Sequence, residues 1–467
     1  MRIFSILLIV LLSSISITAQ DIAGQWNGVL KVQGAQLRVV FNVTTTDDGA
    51  LKSTMDSPDQ GAKGIPTTTT SFENSTLKIT LINAGIEYVG ILGDDNIIVG
   101  TFKQAGHSFP MNLTKGVVEK EKTVRPQEPK KPYPYYSEDI AFDNKKAGIT
   151  LAGTLTLPNK NGIFPVVILI SGSGPQNRDE ELLGHKPFLV ISDFLTRNGI
   201  AVLRYDDRGT AQSKGDFKSA TSADFATDVE SAIEYLKSRN EINKKQIGLI
   251  GHSEGGIIAP MVANKSKDVA FIVLLAGTGL QGDQILLSQQ KLIGKASGMS
   301  DELLQENELV NKKVFDMIKE SNSLEQLNVD LTNLLNHFLT DNSKVEIPEG
   351  MSKDEFVKLQ ISQVTNPWML YFIKYDPSLA LEKVKCPVLA LGGEKDLQVP
   401  PKENLEAIRN ALTKGGNKNV TIKELPNLNH LFQESITGTP NEYATIEQTF
   451  SPIALNEILK WIQGQTK

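Results

Sequence analysis

From residue 137 onward the chain alternates between two hydrophobic patterns. Residues 149–158 run apolar-polar like a half-exposed strand. Continuous apolar stretches follow at 165–170, 200–203, 247–250, 269–275 and 388–391. Such stretches suit strands covered on both faces. Between them Phe225, Val229, Ala232, Ile233 and Leu236 recur at helical spacing behind a Thr221-Ser222 start. Strands alternating with helices predict an α/β fold, with a mostly parallel sheet and helices on both faces. The alternation breaks at about 280–383. There Ser300-Asp301-Glu302, Ser323-Leu324-Glu325-Gln326 and Ser352-Lys353-Asp354-Glu355 open amphipathic helices, the last two as capping boxes. Leu327, Leu331, Leu334, Leu335 and Phe338 make one apolar face. This stretch reads as a helical cap inserted between two sheet strands.

The pattern before residue 137 differs. Residues 20–115 are rich in Thr, Gly and Asn and carry short alternating runs at 37–43, 77–81 and 97–102. Asp48-Gly49, Asn83-Ala84-Gly85 and Asp94-Asp95-Asn96 separate these runs as turns. Period-two patterning at that spacing predicts a small all-β domain. It serves as a structural appendage, or for binding, spacing or partly roofing a neighbouring site. Residues 116–136 place Pro126, Pro129, Pro132 and Pro134 among Lys, Glu and Tyr, which predicts an extended linker. The α/β part then occupies 137–467. Residues 1–19 combine Arg2, an apolar run from Ile3 to Leu12 and a small residue at Ala19, the pattern of a secretory signal. The expectation is an exported protein, periplasmic or extracellular, with no stable membrane insertion once the signal is removed.

Composition narrows the chemistry. The net charge of −6 over 467 residues argues against nucleic acid as a partner. The single cysteine, Cys386, excludes an internal disulfide and a cysteine-based metal cage. No His/Cys/carboxylate group has ligand spacing, so no metal is expected. Only five histidines are present, so each can be weighed in turn.

The sharpest motif is Gly251-His252-Ser253-Glu254-Gly255-Gly256, between a strand-like run and the helix-like Ile257-Ile258-Ala259-Pro260-Met261. A G-x-S-x-G elbow needs that context. Ser253 then stands exposed, and the amide of Glu254 faces a developing oxyanion. A serine needs a base. His107 lies in the β domain, His337 in the cap, and His185 near a helix start; His252 adjoins the serine and is aimed elsewhere by the elbow. His430 follows a last strand at 420–425, in the loop Pro426-Asn427-Leu428-Asn429-His430, where a loop-borne base belongs. The carboxylate that fixes its tautomer is Asp396, at the end of the 388–391 strand, with Glu394 and Asp376 as lower-ranked rivals. The second oxyanion donor is expected from Ser171-Gly172-Ser173-Gly174-Pro175, with the Ser173 amide favoured and Gly172 the alternative.

Five motifs in order carry a resemblance: Gly172-Ser173-Gly174-Pro175, Arg204-Tyr205-Asp206-Asp207-Arg208-Gly209, the 251–256 elbow, Gly393-Glu394-Lys395-Asp396 and Asn429-His430. Over 137–467 the chain resembles exported bacterial α/β-hydrolases, serine esterases related to dienelactone-hydrolase and prolyl-oligopeptidase catalytic domains. The resemblance implies a triad of Ser253, Asp396 and His430, no cofactor, and acyl-ester or acyl-amide hydrolysis. Two positions depart from the pattern: Ala211, where relatives often carry a second Gly, and Ser171, where many esterases carry His.

Arg178, Asp207 and Arg208 fall at strand ends. They read as an ion-pair network holding two loops, or else as recognition of a polar substrate end. Trp368 and Tyr371 either roof an acyl pocket or form the core of the cap. The expected function is a serine hydrolase of carboxylic esters acting on small-molecule, sugar or peptide esters. Aminoacyl-amide hydrolysis is the alternative within the enzyme class, and a non-catalytic glycan- or peptide-binding protein the alternative outside it.

Overall fold

The computed structural model of the chain describes residues 22–32, 35–58, 62–104, 107–116, 125–341, 347 and 351–467. The signal segment lies outside the described residues, as do 117–124 of the expected linker. The chain divides into two compact units.

The first unit is all-β. Its strands are β1 (Gly24–Val32), β2 (Ala35–Thr45), β3 (Leu51–Ser57), β4 (Ala62–Pro66), β5 (Thr69–Glu73), β6 (Thr76–Leu81), β7 (Ile86–Leu92), β8 (Ile97–Gln104), β9 (His107–Pro110) and β10 (Leu113–Thr114). They pair antiparallel in the order β4-β3-β2-β1-β10-β8-β7-β6-β5, with β9 against β8. Alternate side chains point inward: in β6, Leu77, Ile79 and Leu81 are buried, and they join Trp26, Phe41, Tyr88 and Phe102 in one core. The Ser53 hydroxyl lies 2.9 Å from that of Thr67 and 2.7 Å from that of Thr70, so the sheet curls until β3 meets β5.

The second unit holds an eight-stranded sheet. Its strands are β11 (Tyr136–Asn144), β12 (Ile149–Leu157), β13 (Phe164–Ile170), β14 (Ala201–Tyr205), β15 (Ile242–His252), β16 (Val269–Leu275), β17 (Val388–Gly393) and β18 (Val420–Leu425). The order is β11-β12-β14-β13-β15-β16-β17-β18. The pairs β11–β12 and β12–β14 are antiparallel, and every later pair is parallel. The unbroken apolar runs follow from burial on both faces. In β13, Val166, Ile168 and Ile170 enter one core, and Val167 and Leu169 enter the other. Helices α2 (Ser222–Ser238), α3 (Gly255–Ala263) and α10 (Pro401–Lys414) cover the first face; α1 (Pro187–Arg197) and α11 (Pro452–Gln465) cover the second. Helix α2 starts where Thr221 and Asp224 close a reciprocal cap, and it buries Phe225, Val229, Ala232, Ile233 and Leu236. Each of the larger four, Phe225, Val229, Ile233 and Leu236, contributes about 1.5–3 kcal/mol.

Among the described residues six helices stand between β16 and β17: α4 (Gly282–Ala296), α5 (Asp301–Glu320), α6 (Leu324–Asp341), α7 (Lys353–Val364), α8 (Pro367–Lys374) and α9 (Ser378–Leu381). Val314, Phe315, Ile318, Leu327, Leu331, Val357 and Ile361 give them a core of their own. Ser352 and Glu355 form both halves of a capping box at α7. At α6 only the forward half forms: the Gln326 amide donates to Ser323 Oγ at 3.3 Å, while the Gln326 side chain turns to Asp330.

Sheet register sets the rim on which the chemistry sits. Ile170 lies opposite Gly251, His252 opposite Leu275, Leu275 opposite Leu391, and Gly393 opposite Leu425. The loops after β13, β15, β17 and β18 therefore leave the sheet side by side, at the carboxyl end where open parallel sheets bind ligands.

Candidate active site

The loop after β15 is an elbow forced by close contacts. Ser253 sits at φ +51°, a left-handed conformation that costs an L-residue roughly 1–2 kcal/mol. Its amide donates to the Leu275 carbonyl at 2.8 Å, and its carbonyl accepts from the Gly256 amide at 2.9 Å, which holds the turn. A Cβ on Gly251 would stand 2.0 Å from the Gly255 oxygen, and one on Gly255 would stand 2.2 Å from the Ile170 oxygen. Only glycine fits either place. Ser253 Oγ makes no hydrogen bond among the described residues, so the hydroxyl is uncommitted.

The base loop is clamped by Asn429. Its Oδ1 accepts from the amides of Leu431 and Gln433 at 3.0 and 2.9 Å, and its Nδ2 donates to Gln433 Oε1 at 2.9 Å. His430, held in this turn, donates from Nδ1 to Asp396 Oδ2 at 2.8 Å. The other oxygen of Asp396 accepts from the amides of Gln398 and Val399, each at 2.8 Å. Both side chains are buried. A carboxylate takes only the protonated nitrogen, so the lone pair of His430 lies on Nε2. Neither rival carboxylate meets a histidine among the described residues. Glu394 is exposed and accepts from the Asn427 amide, and Asp376 accepts from the Ser378 amide.

The amides expected to face an oxyanion separate cleanly. Gly172 N–H donates to Glu180 Oε1 at 2.7 Å and is therefore committed. The amides of Ser173 and Glu254 have no acceptor among the described residues. The Glu254 side chain is buried, accepting from Ser222 Oγ at 2.5 Å and from Trp368 Nε1 at 2.7 Å; burial pushes its pKa up.

Arg178 and Arg208, which the sequence offered as pocket residues, are instead engaged within the fold. The Arg178 guanidinium meets both oxygens of Asp206 at 3.0 and 2.8 Å and donates to the Gly153 carbonyl at 2.9 Å. Arg208 grips Asp228 through two bonds of 2.8 and 2.9 Å. These are the loop-holding ion pairs of the first reading. Asp207 lines a small cleft with Ser171, Gly172, Phe225 and Glu254. It accepts from Ser171 Oγ at 2.7 Å and from the Gln176 amide at 2.9 Å, while burial raises its pKa. Trp368 stacks on Phe372 and reaches the elbow through Glu254; Tyr371 stacks on Tyr375.

The serine aminopeptidase S33 family matches residues 188–435, just over half of the chain and inclusive of the elbow, Asp396 and His430. The chain belongs to this family. It is an esterase-like α/β-hydrolase of the serine hydrolase class. Esterase EstD of Thermotoga maritima is 26% identical over 70% of this chain and 69% of its own length. An uncharacterized 31.7 kDa protein of Escherichia coli is 25% identical over 57% of this chain and 84% of its own. The α/β hydrolase GrgF from Penicillium sp. has a TM-score of 0.45 at 16% identity, covering 71% of this chain and 99% of that one.

Two features of this family member escaped the sequence. Glu180 and His252 form a buried pair, 2.9 Å apart, directly behind the serine. His252 was legible as pointing away from Ser253, but nothing in a loop reading Arg178-Asp179-Glu180-Glu181 marked one acid as its partner. The Pro-rich pattern of the linker predicted an extended segment and assigned it no contacts. Within its described part, Arg125 instead donates to the carbonyls of Leu183, Gly184, Ala444 and Ile446, and Gln127 meets the backbone of Thr449 and Phe450. The segment is bound to the second unit.

Proposed function

We propose that the protein hydrolyses carboxylic esters of small molecules through an acyl-enzyme on Ser253. The observation that carries this reading is the buried His430–Asp396 hydrogen bond of 2.8 Å, on the same rim as a serine held at φ +51°. His430 Nε2 takes the proton of Ser253 as Oγ attacks the carbonyl, and Asp396 stabilises the resulting imidazolium. The Glu254 and Ser173 amides receive the oxyanion. The imidazolium then protonates the leaving oxygen, and water, activated by the same base, releases the acid. Helices α4 to α8 act as a cap, joined to the elbow by the Trp368–Glu254 bond, and Trp368 and Tyr371 border the acyl side. The protein works after export, in the periplasm or outside the cell.

Ser253→Ala lowers kcat on a short p-nitrophenyl ester by about 10⁶-fold and abolishes labelling by a fluorophosphonate. Asp396→Asn, which disturbs the tautomer, lowers kcat by about 10⁴-fold. Near-native turnover by Ser253→Ala would rule out this mechanism. A second reading, aminoacyl-amide hydrolysis, is supported by the family description. The ratio of kcat/KM on an acetyl ester to that on an aminoacyl amide discriminates the two, and we expect it to favour the ester.

A further inference from the structure

We infer that Glu180 and His252 are positioning residues that lock the oxyanion loop to the base loop; this rests on the triad reading above. Glu180 Oε1 receives two donors, the Gly172 amide at 2.7 Å and His252 Nδ1 at 2.9 Å. On the other side of the ring, His252 Nε2 lies 3.0 Å from the His430 carbonyl oxygen. One continuous chain of hydrogen bonds thus runs from the residue before Ser173, through the residue before Ser253, to the backbone of the base. The three loops also meet sterically. A Cβ on Gly172 would stand 3.2 Å from Ser253 Cβ and 3.5 Å from His252 Nδ1, and the rings of His252 and His430 are 4.9 Å apart.

Both ring nitrogens of His252 face acceptors, so the imidazolium satisfies the site and the neutral ring cannot. Burial alone would lower the pKa of His252. The Glu180 carboxylate and the bonds to it and to the His430 carbonyl outweigh burial and raise it. Stability is a poor explanation for the pair, because a buried ion pair is often matched by apolar residues of the same volume. Glu180 is moreover held at φ +51°, a strained conformation for a non-glycine residue. Such strain persists where the surroundings over-determine a geometry, and it clusters at active sites. The pair joins the two groups that must act on the same carbonyl within about 0.5 Å of their ideal places, and a 1 Å misplacement costs about 10²-fold in rate.

The test measures kcat, KM and the fluorophosphonate labelling rate for Glu180→Gln, Glu180→Ala, His252→Gln and Ser253→Ala, each in the full chain with its melting temperature. Glu180→Gln keeps an acceptor for both donors and is expected to lose about 10-fold in kcat. Glu180→Ala and His252→Gln are expected to lose about 100-fold, with KM within threefold and labelling falling in parallel. Partial rescue by glutamine over alanine is the signature of a hydrogen-bonded link. Should Glu180→Ala fail to fold, Glu180→Gln and His252→Gln decide. Folded variants with kcat within threefold of the native protein, while Ser253→Ala is inactive, overturn the positioning role and leave the triad standing. Native turnover by Ser253→Ala overturns both.

Discussion

At the scale of single residues, backbone strain marks both what the site needs and what it tolerates. Ser253 and Glu180 sit in left-handed conformations at the centre of hydrogen-bonded loops, where the strain is matched by contacts. Ala211 is also left-handed, at φ +47°, and lies in the Arg208-Gly209-Thr210-Ala211 turn. The family resemblance leads one to expect a second glycine there, and the left-handed conformation is one that glycine adopts without a Cβ penalty. Ala211→Gly removes a Cβ penalty of about 1–2 kcal/mol, partly offset by the greater freedom glycine has when unfolded. We expect a net gain of about 0.5–1 kcal/mol with kcat unchanged. A denaturant titration checks this, and a loss of stability would mean the Ala211 methyl makes a contact worth more than the strain. The Ser-Asp-His set was legible because Ser253 and Asp396 follow apolar runs that announce strand ends, and His430 follows the alternating run 420–425. Glu180 follows no such run and is placed by the fold around it, so its role was invisible.

At the scale of elements, the sequence displayed strands best where both faces are buried. Residues 269–275 match β16 from end to end, since a parallel strand covered on two sides is apolar throughout; residues 420–425 also match β18, although that strand is the sheet edge, half-buried or exposed along most of its length. β11 was missed because an edge strand reading Ser-Glu-Asp-Ile-Ala-Phe-Asp pairs on one side only and tolerates charge. The segment before it was read by composition, as prolines and charges, and composition does not report a single arginine that bridges loops. Arg125 donates to four backbone carbonyls at 2.6 to 3.3 Å, two in 183–184 and two in 444–446. A planar fork can serve several acceptors at once; an ammonium on a flexible stem cannot match that geometry. Arg125→Ala is therefore expected to cost about 2 kcal/mol, and Arg125→Lys to recover little of it. The readout is the melting temperature of the second unit, with protease cutting in 183–185 or 444–446 as the local probe. An unchanged melting temperature in Arg125→Ala would show that the linker merely rests on these loops.

At the scale of the whole molecule, the loops that Arg125 holds enclose a titration switch on stability. His185 is buried; its Nε2 donates to the Tyr443 carbonyl at 2.8 Å and its Nδ1 accepts from Thr449 at 3.0 Å. Burial, reinforced by the positive charge of Arg125, lowers its pKa to about 4 from an ordinary 6.5. The unfolded chain therefore binds a proton between pH 6.5 and 4 that the folded chain refuses. Stability is full above pH 6.5 and falls as pH drops toward 4, by at most about 3 kcal/mol. His252 acts with the opposite sign and in another window. Its pKa is raised, so its contribution is present below pH 6.5 and is lost as pH rises through the folded value. His185→Gln keeps a donor and an acceptor but cannot titrate, so it separates the two. We expect the stability of His185→Gln to stay flatter between pH 6.5 and 4 than that of the native protein, with the curves converging in slope above pH 7. Parallel slopes below pH 6.5 would mean that His185 accepts its proton without unfolding the 443–450 loop, and that acid lability arises elsewhere.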